Sequence, residues 1–185
     1  MQFIYEDIME GLSKMLDKFK NILNNNSLDN IYLTGFVDYE EDGVVQFYPD
    51  MRFLYFEFGN DIVEFYKFEP VNHCSRIRIT MVDAIKHEFD LEDVLPGRAK
   101  INEIIFKNSM ADNKVAKMYF FNLQENENEL LCDAIHIKLN NGQDIFLDPG
   151  FLGINIGGLE VKKVWEENLV NGVLPQEICI EFDNK

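Results

Sequence analysis

Three residue types that together perform covalent catalysis occur in this chain: Cys74, His136 and Asp148. A Cys-His-Asp set needs a thiolate as nucleophile, an imidazole as base and a carboxylate that fixes the imidazole tautomer. His136 and Asp148 lie on the two arms of CDAIHIKLNNGQDIFLDPGFLGINIGG, residues 132 to 158. Cys74 would be activated if it opened a helix, where the helix dipole lowers a thiol pKa, but the following RIRIT alternates like a strand. The plainer reading makes Cys74 and Cys132 small buried hydrophobes and His136 a surface residue.

The register of the hairpin decides whether His136 and Asp148 can meet. Strands are expected over 131–139 and 143–148 around Asn140-Asn141-Gly142. A slip of one residue turns every side chain to the opposite face. A three-residue loop with left-handed Gly142 sets Ile135, Ile137 and Leu139 opposite Leu147, Ile145 and Gln143, so the apolar residues share a face. Lys138 then faces Asp144, and His136 falls diagonal to Asp148.

Other site chemistries lack their spacing. GINIGG (153–158) has the wrong glycine interval for a phosphate loop, and no Gly-Lys-Ser/Thr follows. His73, His87 and His136 form neither HxxxH nor HExxH, so no zinc site is expected. DYEED (38–42) lacks the ligand spacing of a calcium loop. No metal and no cofactor is expected.

These residues must be held by an α+β scaffold. Ile8, Leu12, Met15, Phe19 and Ile22 recur at steps of three and four, predicting a helix over 6–24 that ends at NNNS. Strand-like stretches follow: IYLTGFVDY, a turn at EEDG, VVQFY, then MRFLYFEF and IVEFYKFE joined by GND. Residues 75–89 read as a strand passing into a short helix, DAIKHEF, and the stretch around LEDVLPGR as a polar loop. KVAKMYFFNL, a turn at QENENE, a Trp-bearing VKKVWEENL and a final strand ICIEF complete the pattern. One helix followed by many hairpins predicts an N-terminal helix packed on a mainly antiparallel sheet. With 185 residues and no linker, one domain spanning 1–185 is expected.

Charge narrows the partners. Lys and Arg number 17 against 33 Asp and Glu, a net charge of −16. Such a surface repels nucleic acid and anionic membranes and attracts basic proteins or cations. Three widely spaced cysteines and an acidic N-terminus without an apolar core region predict reduced thiols and a cytoplasmic location. No apolar run approaches a membrane span. Candidate partner contacts are Asp38, Glu40, Glu41 and Asp42 at one hairpin end, and Glu125, Glu127 and Glu129 at another. The same charges also serve plain solubility.

Two resemblances attach to these motifs. His136, followed by a hairpin to Asp148-Pro149, looks like the His-Asp part of transglutaminase-like and arylamine acetyltransferase-like enzymes. That implies Cys74 as nucleophile, although no glycine- or tryptophan-rich context surrounds it. GQDIFLDPGFLGINIGG (142–158), SRIRITMVDAIKHEF (75–89) and Trp165 resemble a group of small bacterial proteins associated with polymorphic-toxin and contact-dependent-inhibition loci. The second resemblance extends over residues 50–168. It implies a non-enzymatic immunity protein that neutralises a cognate, basic toxin by binding it, and it assigns no catalytic residue.

Overall fold

The computed structural model describes residues 14–39, 43–59, 64–87, 95–108 and 113–182. The chain runs α1 (Lys14–Asn25), β1 (Leu28–Tyr39), β2 (Val45–Phe58), β3 (Glu64–Val71), β4 (Arg76–Val82), β5 (Leu95–Lys100) and α2 (Asn102–Ile105). Then follow β6 (Val115–Phe121), β7 (Gln124–Glu125), β8 (Glu129–Cys132), β9 (Ala134–Leu139), β10 (Asp144–Gly150), β11 (Gly153–Gly157), α3 (Leu159–Glu167) and β12 (Glu177–Glu181). The expected α+β class is what forms, with every strand pair among the described residues antiparallel.

The strands divide between two sheets, ordered β5-β1-β2-β3-β4-β8-β7 and β11-β10-β9-β6-β12. One shared core joins them: Leu54, Phe56, Phe68, Ile77 and Ile79 from the first sheet, and Met118, Phe120, Ile135, Ile137, Ile145 and Leu147 from the second. α1 closes one end of this layer through Met15, Phe19 and Leu23, one turn apart and buried. Residues 6–13 of the expected helix lie outside the described residues.

Four expectations need correction. The strand expected over 131–139 breaks at Asp133, where the chain leaves the first sheet (β8) for the second (β9). Asp133 N–H donates to the Phe121 carbonyl at 2.8 Å. Arg76 fixes this corner from β4, with Nε 3.1 Å from Asp133 Oδ1 and Nη2 donating to the carbonyls of Asn122 and Leu131. VVQFY and MRFLYFEF are one strand, β2, interrupted where Leu33 pairs with Leu54 but Thr34 pairs with Asp50, so that residues 51–53 bulge out. The stretch LPGRAK is not loop but strand β5; an edge position tolerates Pro96 because its missing N–H faces no partner. Residues 83–87 are not helical, and 88–89 lie outside the described residues.

Beyond the point where β3 stops pairing, β2 continues with β1 and β5 as a three-stranded arm. Gly35 and Gly97 face each other across β1 and β5. A Cβ on Gly35 would come within 2.8 Å of the Phe47 ring and one on Gly97 within 3.2 Å, so the missing side chains leave room for that ring. On the arm's other face Phe36 stacks on Tyr48 at 5.0 Å.

Candidate functional site

The β9–β10 hairpin has the three-residue register expected from its loop. Lys138 pairs with Asp144, Ile137 with Ile145 and Ile135 with Leu147, and Gly142 has φ +82°. Asn141 Oδ1 accepts the N–H of Gln143 at 2.9 Å, which closes the turn. Alternation sends Ile135, Ile137, Ile145 and Leu147 into the core. His136, Asp144, Phe146 and Asp148 go to the opposite face, partly roofed by α3.

On that face His136 is buried, not a surface residue, at 4% exposure. It chooses the other diagonal: Nε2–H donates to Asp144 Oδ1 at 2.7 Å, and Asp148 is left to Asn155 Nδ2 at 3.1 Å. The imidazole stacks on Tyr119 with centroids 5.3 Å apart. Burial lowers its pKa below the ordinary value, the Asp144 hydrogen bond pulls the other way, and Lys162 reinforces the lowering. Burial thus favours the neutral ring, and Asp144 orients it. Burial also raises the Asp148 carboxyl above the usual range, against the Asn155 hydrogen bond.

Cys74 sits elsewhere, in the β3–β4 turn of the first sheet. Asn72, His73 and Cys74 all have positive φ there, and β4 rather than a helix follows. The turn is half-buried at Cys74, not closed over it. No hydrogen bond joins Cys74 to His136 or Asp148, and the structure brings together only His136 and Asp144 from this chemistry. Cys132 is fully buried, and burial pushes its thiol pKa far up. Among the described residues no group of three or more His, Cys, Asp or Glu is placed to hold a metal ion.

A thiol-labelling experiment separates these cysteines. Neutral-pH alkylation is expected to label Cys74 at the rate of an ordinary thiol, leave Cys132 untouched until the protein unfolds, and be indifferent to His136→Ala. Fast labelling of Cys74 that disappears in His136→Ala would restore the thiol-transferase chemistry.

The acidic positions behave unequally. Asp38 is exposed near the arm's end, its carboxylate accepting the Tyr39 N–H at 2.8 Å. Glu40, Glu41 and Asp42 lie outside the described residues. Glu125 is half-buried against α1; burial raises its carboxyl, with Lys20 opposing and Asp17 adding to the effect. Glu129 accepts a hydrogen bond from Asn126 Nδ2 at 3.1 Å and lies 3.9 Å from Arg78. Of these three, Glu127 alone is exposed.

What sequence reasoning passed over lies beside Asp38. Tyr39, Val44, Val45 and Leu95 are 60%, 54%, 57% and 55% exposed and converge on the arm's end, since Tyr39 pairs with Val45 and Leu95 with Val37. A groove of about 560 Å³ at the arm's foot is lined by Phe36, Tyr48, Pro49, Met51 and Leu152 together with the Asp50–Arg52 ion pair. The signal was available: IYLTGFVDY and VVQFY carry apolar residues on both alternating faces, more than one buried face needs.

No helix among the described residues is long and apolar enough to cross a membrane. No family model, curated protein or solved structure matches the chain.

Proposed function

We propose that this chain is a non-enzymatic acidic binding protein, an immunity protein that neutralises a basic toxin by docking the end of its three-stranded arm on it. The observation that carries this reading is the group of exposed Tyr39, Val44, Val45 and Leu95 beside the exposed Asp38, with three more acidic residues following in sequence. A contiguous apolar patch rimmed by charge is how protein-binding surfaces are built, with aromatic anchors carrying affinity and the charged rim steering encounter. The net charge of −16 supplies long-range attraction for a basic surface.

Association kinetics with the product of the adjacent gene test it. Steering weakens as the Debye length falls from about 30 Å at 0.01 M salt to about 10 Å at 0.1 M. Association should therefore slow several-fold with salt while dissociation changes little. Asp38→Lys should slow association further, and Tyr39→Ser should speed dissociation. In co-expression, this chain should rescue a host from that product. A toxic product that is neither bound nor neutralised would end the reading.

A further inference from the structure

α3 crosses the outer face of the second sheet with Val161 and Trp165, one turn apart, resting on it. Trp165 packs at 4.8 Å from the Phe121 ring and 5.4 Å from the Phe146 ring. Between the Glu160–Val164 flank of this helix and the β10–β11 hairpin runs a cleft of about 720 Å³, the size range of small-molecule sites. Asp148 lines it while 8% exposed. Asn155 Nδ2 donates to its Oδ2, and among the described residues no other side chain donates to this carboxylate. Met51, Ile156, Val164 and Trp165 add apolar and aromatic walls, and Glu160 and Asn168 are the further polar side chains of the lining.

The charges of the cleft are of one sign. Glu160 also lines it, with Oε1 accepting the Gly158 N–H at 2.7 Å and its carboxyl held below the ordinary range by backbone hydrogen bonds. No Lys or Arg is among the described residues lining it. An anion would meet two carboxylates, and a neutral apolar ligand would cover Asp148 without pairing it, which is unfavourable for a buried charge. An inorganic cation would find too few oxygen ligands, since no group of three acidic or other metal-binding side chains gathers here. A cation carrying its own hydrogen-bond donors and an apolar stem satisfies every wall at once: donors for Asp148, a positive face for the indole, and methylenes for Met51 and Val164.

We propose that this cleft binds an organic cation, a guanidinium or alkylammonium group on an apolar stem, with Asp148 as its counter-ion and the Trp165 indole against it. The group belongs either to a free small molecule or to an Arg or Lys side chain of a basic protein. The site stands apart from the docking proposed for the arm's end, and its test needs no partner protein.

Trp165 is the sole tryptophan, so its emission reports the cleft directly. Agmatine, an alkylguanidinium, should change that emission saturably, whereas the neutral N-butylurea should not. Asp148→Asn keeps the shape and removes the charge; it should weaken agmatine about tenfold or more, as expected for loss of a charge-assisted hydrogen-bond partner. Val164→Lys places an ammonium at an exposed cleft position and should weaken binding without threatening the fold. The peptide Gly-Arg-Gly distinguishes the sources: binding at least as tight as agmatine assigns the cleft to a protein side chain, and exclusion of the peptide with agmatine bound assigns it to a free cation. Absence of a saturable response to both, or equal agmatine affinity in wild type and Asp148→Asn, overturns the proposal.

Discussion

Gly153→Ala should lower stability by about 3 kcal/mol or more, the sum of left-handed strain and a backbone collision at one position. Gly153 has φ +137°, and a Cβ there would lie 2.3 Å from both the carbonyl carbon and the oxygen of Met51 and 2.7 Å from Arg52 N. No flexible side chain can yield, because all three atoms are backbone. The contact is where the β10–β11 turn meets the bulge of β2, so it joins the edge of the second sheet to the first. In a chain of this size the melting midpoint should fall by roughly 6–12 °C, at about 2–4 °C per kcal/mol. Gly142 is the built-in control: its φ is +82°, but a Cβ there would meet nothing within 4 Å. Gly142→Ala should carry the conformational penalty alone, about 1–2 kcal/mol. Equal losses for the two variants in urea unfolding would show that the close approach to Met51 contributes nothing.

A second large loss is expected at Phe19→Ala, about 3–5 kcal/mol for deleting a fully buried aromatic ring. Phe19 is 0% exposed and lies 4.5 Å from the Tyr66 ring, 6.1 Å from Phe58 and 6.4 Å from Phe120. The first two neighbours belong to one sheet and the third to the other, so the vacated space opens at the seam between them, where neither sheet can relax alone. Leu16 lies on the same helix but is only partly buried, and Leu16→Ala should lose clearly less. Urea unfolding of both variants measures the difference. If Phe19→Ala behaves like Leu16→Ala, α1 is an appendage and not the closure of the core.

The parts of this architecture that depend on neighbours in sequence were legible in it. Asn140-Asn141-Gly142 and strict alternation on either side dictate the β9–β10 register, because a shift of one would turn four isoleucine and leucine side chains outward. The stripe of Met15 and Phe19 dictates α1 in the same way. The break at Asp133 was not legible: ELLCDAIHIKL reads as one run, and the residue that bends it, Arg76, is far away in sequence. Strand β5 was hidden because Pro96 and Gly97 argue against a strand unless it is known to lie at an edge and under the Phe47 ring. His136 had two aspartates at equivalent diagonals. Asn155 arrives from β11 to take Asp148, which no local pattern foretells. α3 was within reach, since Val161 and Trp165 stand one turn apart in the Trp-bearing VKKVWEENL.

The corner at Asp133 has a consequence for synthesis on the ribosome. β4 is paired with β3 on one side and takes β8 on the other, yet about 50 residues separate the end of β4 from the end of β8. At about 5–20 residues per second, the nascent chain carries β4 as an open edge for roughly 3–10 s before its neighbour is made. That edge bears Ile77 and Ile79 and the unmet backbone groups of a central strand, the template on which nascent copies from one message can pair wrongly. Arg76 and Arg78 lie on that strand, and charged side chains on an open edge disfavour such pairing until β8 arrives.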